Sequence, residues 1–524
     1  MDKAQAALKA RKDFTRQLTV LILGAVLFCA ILLMPQPDGM TVPAQKLLAT
    51  VALMAFWWMG GGISISVTAL LPLILFPALG IMSSQQVAPN YTNHLVFLFL
   101  GGFMIALSME KWNFHKRLAV WCISAIGTNP QKIVLSFMVA SAFLSMWISN
   151  TATTMMMLPV AMAVVRQVSV GASIDGKKSD NTDAEVQKSL GLTLMLGLAY
   201  AASIGGVGTL IGTPANIVFS GFFSNLYPER EPVSFFRWML FAVPLVCIFL
   251  PLVWLYLCRF AAPVSVGRIQ MHTTISSVMS EELTAMGKLS RPEKIIGSIF
   301  AGTALLWTFR SPIDLGAFTI PGWAEAFPQP GHIQDATVAM AMGILLMLLP
   351  VSLKKGIQLG DRREYFLLDW QTVQDRVPWG ILLLFGGGFS LAAGFAETGL
   401  DKWIGIHLNS LGVLPVAGAI LLTCLFITFL TELTSNTATL TMILPIIGAV
   451  AVASGFDPLF LMVPATLSAS FAFMLPVATP PNTIVYGSGW VSVSEMTRAG
   501  FALNLIGVVL ITTALLLIIR LGVF

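Results

Sequence analysis

The sequence predicts an all-α polytopic membrane protein, with about eleven transmembrane helices plus two re-entrant hairpins in an inverted-topology repeat. Three observations predict it: a composition suited to lipid, basic residues gathered in alternate loops, and polar motifs that occur twice within apolar surroundings.

The 524 residues are 56% hydrophobic and 10% charged, with mean hydropathy +0.82, whereas a soluble domain carries about 25% charged residues. Apolar runs near the roughly 20 residues that a helix needs to cross a bilayer recur along the chain. They predict spans at 18–34, 46–60, 63–80, 95–109, 190–222 (broken), 236–258, 293–309, 335–353, 379–396, 457–489 (broken) and 499–522, with hairpins at 133–166 and 413–453. The first run follows Lys3, Lys9, Arg11, Lys12 and Arg16, as the core of a signal peptide would. Met34-Pro35-Gln36-Pro37-Asp38 has no small-residue cleavage pattern, so the run is expected to stay as a first span. The lipid bilayer is the partner this composition implies, and no nucleic acid is expected. Cys29, Cys122, Cys247, Cys258 and Cys424 lie in or beside apolar runs without paired spacing, which predicts buried fillers rather than a disulfide or metal framework.

On that layout 24 of the 30 Lys and Arg fall on one side of the membrane. Lys46, Arg230, Arg237, Arg310, Lys402 and Arg520 fall on the other. Because cytoplasmic loops carry the excess of basic residues, the N-terminus is expected in the cytoplasm beneath the inner membrane. An odd number of crossings then places the C-terminus outside.

The chain repeats itself. Ser149-Asn150-Thr151-Ala152-Thr153 returns 286 residues later as Ser435-Asn436-Thr437-Ala438-Thr439, and eight of eleven positions from each serine are identical. Gly101-Gly102-Phe103 returns as Gly387-Gly388-Phe389 with the same offset, and Ser145 is matched by Thr431. Gly212-Thr213-Pro214-Ala215-Asn216 is matched by Ala478-Thr479-Pro480-Pro481-Asn482 at an offset of 266. The missing 20 residues correspond to a polar stretch at 167–188, expected to be a cytoplasmic loop insertion. The Gly102 span is followed by Lys111, His115, Lys116 and Arg117, and its partner by Glu397, Asp401 and Lys402. Equivalent segments are therefore expected to point in opposite directions, which puts a binding site at the repeat interface near the bilayer midplane.

Ser, Asn and Thr favour helix starts over interiors, so each Ser-Asn-Thr is expected at the tip of a hairpin. Non-helical backbone at that depth persists only inside protein or beside a watery cavity. Glycines at 205–208 and Pro214 in one half, with Pro476, Pro480 and Pro481 in the other, predict broken helices. Each break frees carbonyl oxygens and amide donors. Carbonyls with Ser, Thr and Asn oxygens suit a hard monovalent cation, while helix N-termini with Asn and Thr donors suit the oxygens of a carboxylate or sulfate.

These motifs, together with FLFLGGF before the first Ser-Asn-Thr, LLLFGGGF before the second, and TELTSNT, resemble the divalent anion:sodium symporter family over essentially the whole chain. The resemblance implies a homodimer that takes up small dianions, C4-dicarboxylates such as succinate, malate and fumarate first among them, with Na+ by an elevator motion. It also implies that the chain is not an enzyme. Carried over residue by residue, one sodium site uses Ser145, Ser149, Asn150 and Gly212, and the second uses Thr431, Thr434, Asn436 and Ala478. The dianion is held by Asn150, Thr151, Asn436 and Thr437, with Thr213, Pro214, Thr479 and Pro480 lining the pocket. The implied division is a cytoplasmic N-terminus at 1–17, scaffold helices at 18–132 and 293–410, transport parts at 133–260 and 411–524, and a cytoplasmic linker at 261–292. The sequence departs from the family at Trp58-Met59-Gly60-Gly61-Gly62-Ile63-Ser64, where an acidic residue and a proline are missing.

Other readings compete. A nucleotide loop at 205–212 fails because no strand precedes it and no P-loop lysine follows. An anion channel calls for rings of basic residues, and an enzyme for a nucleophile–base pair; neither is evident. An exchanger of dicarboxylates, 2-oxoglutarate or citrate and a sulfate carrier share the same fold. Glu432, beside the second tip, is either a proton site or a structural hydrogen-bonding group. Each tenfold sodium gradient supplies about 1.4 kcal/mol and each net charge about 2.3 kcal/mol per 100 mV. Two or three sodium ions therefore suffice to concentrate a dianion, and one does not.

Overall fold

The computed structural model describes residues 3–126, 129–172, 180–261, 283–314, 318–351, 365–407 and 414–521. They are helical apart from connecting loops and a two-residue antiparallel pairing of Ile313–Asp314 with Thr319–Ile320. Among them eight helices are long and apolar enough to cross a membrane, the first being Phe14–Leu33 within Lys3–Leu33 and the last Val493–Leu521. Shorter apolar helices include Pro130–Ser145, Asp335–Leu348, Val416–Thr431 and Leu459–Ala469. The helix Arg291–Thr308 has the length of a span but carries Arg291, Glu293 and Lys294 in its first turn.

The two halves repeat element by element. His94–Lys111 corresponds to Trp379–Thr398, Phe114–Ile126 to Leu400–His407, Pro130–Ser145 to Val416–Thr431, and Asn150–Ala172 to Asn436–Ala453. Glycines explain how closely the first pair packs. A Cβ on Gly101 would come within 2.5 Å of the Ala339 backbone, and one on its counterpart Gly387 within 2.4 Å of the Ala69 backbone. Each glycine-bearing helix thus crosses a neighbour at a distance that a side chain forbids.

Several expectations need correction. The stretch at 167–188 is not simply a loop: Asn150–Ala172 and Asp180–Gly206 extend into it from both sides, leaving only 173–179 outside the described residues. Most of the expected linker, 262–282, also lies outside them. The run at 63–80 forms two pieces, Ile65–Thr68 and Leu71–Leu79. Cys258 and Cys424 are buried, but Cys29 and Cys247 are exposed, so buried filling does not describe all five. Phe114–Ile126, whose basic residues read as loop charge, is a helix; its buried Arg117 donates to Glu293 at 2.6 Å and to the Met286 and Gly287 carbonyls.

The glycine departure has a packing reason. Val42–Gly60 is capped by Thr41, whose hydroxyl accepts from Ala44 N, and ends at Gly61 in the left-handed region at φ 66°. A Cβ at Gly60 would meet Val20 at 2.5 Å, and one at Gly62 would meet it at 2.9 Å. Glycine there lets the N-terminal helix lie directly on this turn.

Candidate functional site

The first hairpin consists of Pro130–Ser145 and Asn150–Ala172, joined by a turn at 146–149; the second consists of Val416–Thr431 and Asn436–Ala453, joined at 432–435. In each, asparagine opens the returning arm. The Ser145 hydroxyl donates to Asn150 Oδ1, and at the equivalent place the Thr431 hydroxyl lies 2.6 Å from Asn436 Oδ1. Thr431 Oγ1 also lies 3.0 Å from the Ala469 carbonyl. Three oxygens thus share a single hydroxyl proton, a donor set that suits a small hard cation.

The expected broken helices are present. Asp180–Gly206 stops before an irregular stretch at 207–213, and Pro214–Leu226 resumes. Leu459–Ala469 stops before 470–479, and Pro480–Tyr486 resumes. Thr213 at φ −141°, ψ 143° and Thr479 at φ −138°, ψ 149° precede the resuming prolines in nearly identical extended geometry, as the residue before proline prefers. The packing is reciprocal: Pro214–Leu226 lies on Asn436–Ala453 and Leu459–Ala469, while Pro480–Tyr486 lies on Asn150–Ala172 and Asp180–Gly206.

Both tips and both breaks face one cavity of about 830 Å³, lined by 147–152, 211–214, 433–437 and 477–481. It receives Ser149, Asn150, Thr151, Gly212, Thr213 and Pro214 from one half, and Thr434, Asn436, Thr437, Ala478, Thr479 and Pro480 from the other. Ser145 and Thr431 do not line it; both are fully buried behind the tips, bonded to the asparagines that do. The Thr434 hydroxyl pairs with Thr439 Oγ1 at 2.5 Å and with the Leu430 carbonyl at 2.9 Å.

Three positioning residues were missed or undervalued in the sequence. Fully buried Asn216 donates from Nδ2 to the carbonyls of Gly206, Val207 and Thr209, and fully buried Asn482 to those of Ala472 and Leu475. Their signal was available as the last letter of the third repeated motif. Glu432 is 3% exposed and accepts from Met474 N at 2.9 Å, Leu475 N at 3.1 Å and Asn504 Nδ2 at 2.7 Å. It fastens the second hairpin to the neighbouring break, as the structural reading of this carboxylate requires.

Residues 15–521 match the family described as sodium:sulfate symporter transmembrane region. The chain belongs to the sodium:sulfate symporter family. Among curated members, the chain is 39% identical over 498 residues to the sodium-dependent dicarboxylate transporter SdcS of Staphylococcus saprophyticus, covering 94% of this chain and 90% of the relative. The protein of the same name from Staphylococcus aureus strain MRSA252 is 39% identical over 505 residues, covering 96% and 91%. Two solved structures share the fold: the YdaH transporter of Alcanivorax borkumensis, with a TM-score of 0.56, 14% identity and coverage of 83% of this chain and 87% of that one, and MtrF of Neisseria gonorrhoeae, with 0.55, 11%, 94% and 96%. Membership in the sodium:sulfate symporter family agrees with the resemblance read from the repeated motifs, and makes the chain a multi-span membrane transport protein.

Proposed function

We propose that this protein is a sodium-coupled symporter of small dicarboxylates, with succinate, malate and fumarate as its substrate class. The observation that carries the reading is the single cavity into which both Ser-Asn-Thr tips and both breaks open. One sodium ion sits among Ser145, Ser149, Asn150 and Gly212, and a second among Thr431, Thr434, Asn436 and Ala478. The dianion lies between them, with Asn150, Thr151, Asn436 and Thr437 donating to its carboxylates and Thr213, Pro214, Thr479 and Pro480 shaping the wall. Two cations beside a dianion remove the charge that would otherwise oppose its entry into a low-dielectric slab. The curated relatives are named for the same ion and substrate class.

The proposed architecture is an inverted repeat, supported by the reciprocal packing of the broken helices. The N-terminus is cytoplasmic, the C-terminus is external, and the chain works as a homodimer. Scaffold helices hold still while the hairpin and broken-helix parts move as an elevator. No covalent chemistry is assigned to the site. Reconstitution tests the function: succinate uptake into proteoliposomes should require an inward sodium gradient. Equal uptake without sodium would count against symport, and acceleration by preloaded dicarboxylate in sodium-free buffer would replace symport by exchange. Uptake of sulfate in place of succinate would reassign the substrate.

A further inference from the structure

Among the described residues that line the cavity, the ionisable side chains are Glu110 and Arg376. Phe99, Gly102, Phe103, Ala106, Leu107 and Glu110 line it from one face of the helix His94–Lys111, at the spacing that stacks side chains along a helix. Gly102 is level with the first break, since a Cβ there would lie 3.3 Å from Ile211. Glu110 is eight residues further on, about 12 Å along the axis. The stripe thus runs from the depth of the tips to a mouth at which the charged pair stands.

The pair is loosely made. Arg376 Nη2 lies 3.6 Å from Glu110 Oε2, beyond ordinary charge-assisted hydrogen-bond length, and the Arg376 side chain is 52% exposed. Its backbone, by contrast, is fixed. Arg376 ends the short helix Trp370–Arg376, whose cap Asp369 is held at 2.8 Å by Lys111, the residue after Glu110. A half-exposed guanidinium on an anchored turn, lining the same cavity as the tips and reached by solvent, retains donors in the fork geometry that fits a carboxylate.

We propose that Arg376 is an anion station at the cavity mouth, where one carboxylate of the dicarboxylate replaces that of Glu110 before or after the substrate travels to the hairpin tips. Glu110 is the competing anion that keeps the station exchangeable. This rests on the dicarboxylate reading above. It adds a site outside the two sodium sites and the tip pocket.

Sodium-driven succinate uptake as a function of succinate concentration, in proteoliposomes containing wild type, R376Q, R376K or E110Q, tests it. R376Q should raise KM about two- to fivefold, the range of a partly exposed ion contact, while the maximal rate stays within twofold. R376K should recover part of the loss, and E110Q should lower KM. Added choline chloride should raise the wild-type KM by screening and leave that of R376Q nearly unchanged. A pair that serves only as a clamp predicts that R376Q and E110Q shift KM in the same direction. That result, or an unchanged KM in both, overturns the station. Should R376Q fail to elute as folded protein, the opposite signs expected for R376K and E110Q still decide the matter. A wild type without sodium-driven succinate uptake would sink the substrate reading itself, a failure separate from any pattern among the variants.

Discussion

Asn216 Nδ2 donates to the Thr209 carbonyl at 2.7 Å, and Asn482 Nδ2, 266 positions later, donates to the Leu475 carbonyl at 3.0 Å, again seven residues back in the chain. The two amides also hold equivalent carbonyls one turn earlier, those of Gly206 and Ala472. Each break is therefore kept in shape by the asparagine that closes its own motif.

Removing either amide should loosen the backbone that presents Gly212 or Ala478. Asn216→Ala and Asn482→Ala should each cost about 1–3 kcal/mol of stability, since buried carbonyls lose their partner. In folded protein the sodium concentration for half-maximal thermal stabilisation should rise, about tenfold for each 1.4 kcal/mol of binding lost, and the cation dependence of thermal unfolding is the measurement. An unchanged sodium dependence would remove both asparagines from the site.

At the tips, Asn150→Asp and Asn436→Asp replace an amide donor with a carboxylate where a dianion is to bind. Each should abolish the sodium-dependent thermal stabilisation by succinate, because like charges confined at close range repel. A normal response from both variants would mean that the tips are not the site.

Glu432 makes a prediction that separates structure from proton coupling. Its carboxylate accepts three hydrogen bonds that span the second hairpin, its break and Asn504. Glu432→Gln should lower stability by about 1–3 kcal/mol, because the amide sets an N–H donor against one of these donors and leaves a buried group without its partner. The pH profile of uptake should keep its shape. A flattened profile would return Glu432 to the role of proton carrier.

On the loop before Trp370–Arg376, burial would raise the Asp369 carboxyl, but bonds from Lys111 and Thr372 outweigh it and hold it below the ordinary 3.8. A depressed pKa contributes stability that is fully present above the unfolded value and is lost as pH falls through the folded one. Asp369→Asn should therefore be less stable than wild type at pH 7 by about 1–2 kcal/mol. The gap should close below about pH 4, as followed by thermal unfolding in detergent.

The parts legible in the sequence were those that repetition marks. Ser-Asn-Thr and Thr-Pro recur at fixed offsets in lipid-like surroundings, where polar backbone needs a reason, so tips and breaks could be placed within a few residues. Amphipathic Phe114–Ile126 was not legible because its Lys116 and Arg117 look like loop charge until Arg117 is seen buried against Glu293. The role of Gly60 and Gly62 depends on Val20, some forty residues away, which no local pattern encodes. Asn216 and Asn482 stood in plain view in the motif, but hydrogen bonds to carbonyls seven and ten residues back only emerge once the helix is broken.

The central claim, that cation and dianion share one chamber, is tested most directly by calorimetric titration of succinate into the purified protein at several sodium concentrations with ionic strength held constant. Thermodynamic linkage requires that if sodium tightens succinate binding, succinate tightens sodium binding by the same factor. The prediction is a succinate affinity that climbs steeply with sodium and does not respond to potassium. An affinity indifferent to sodium would contradict it.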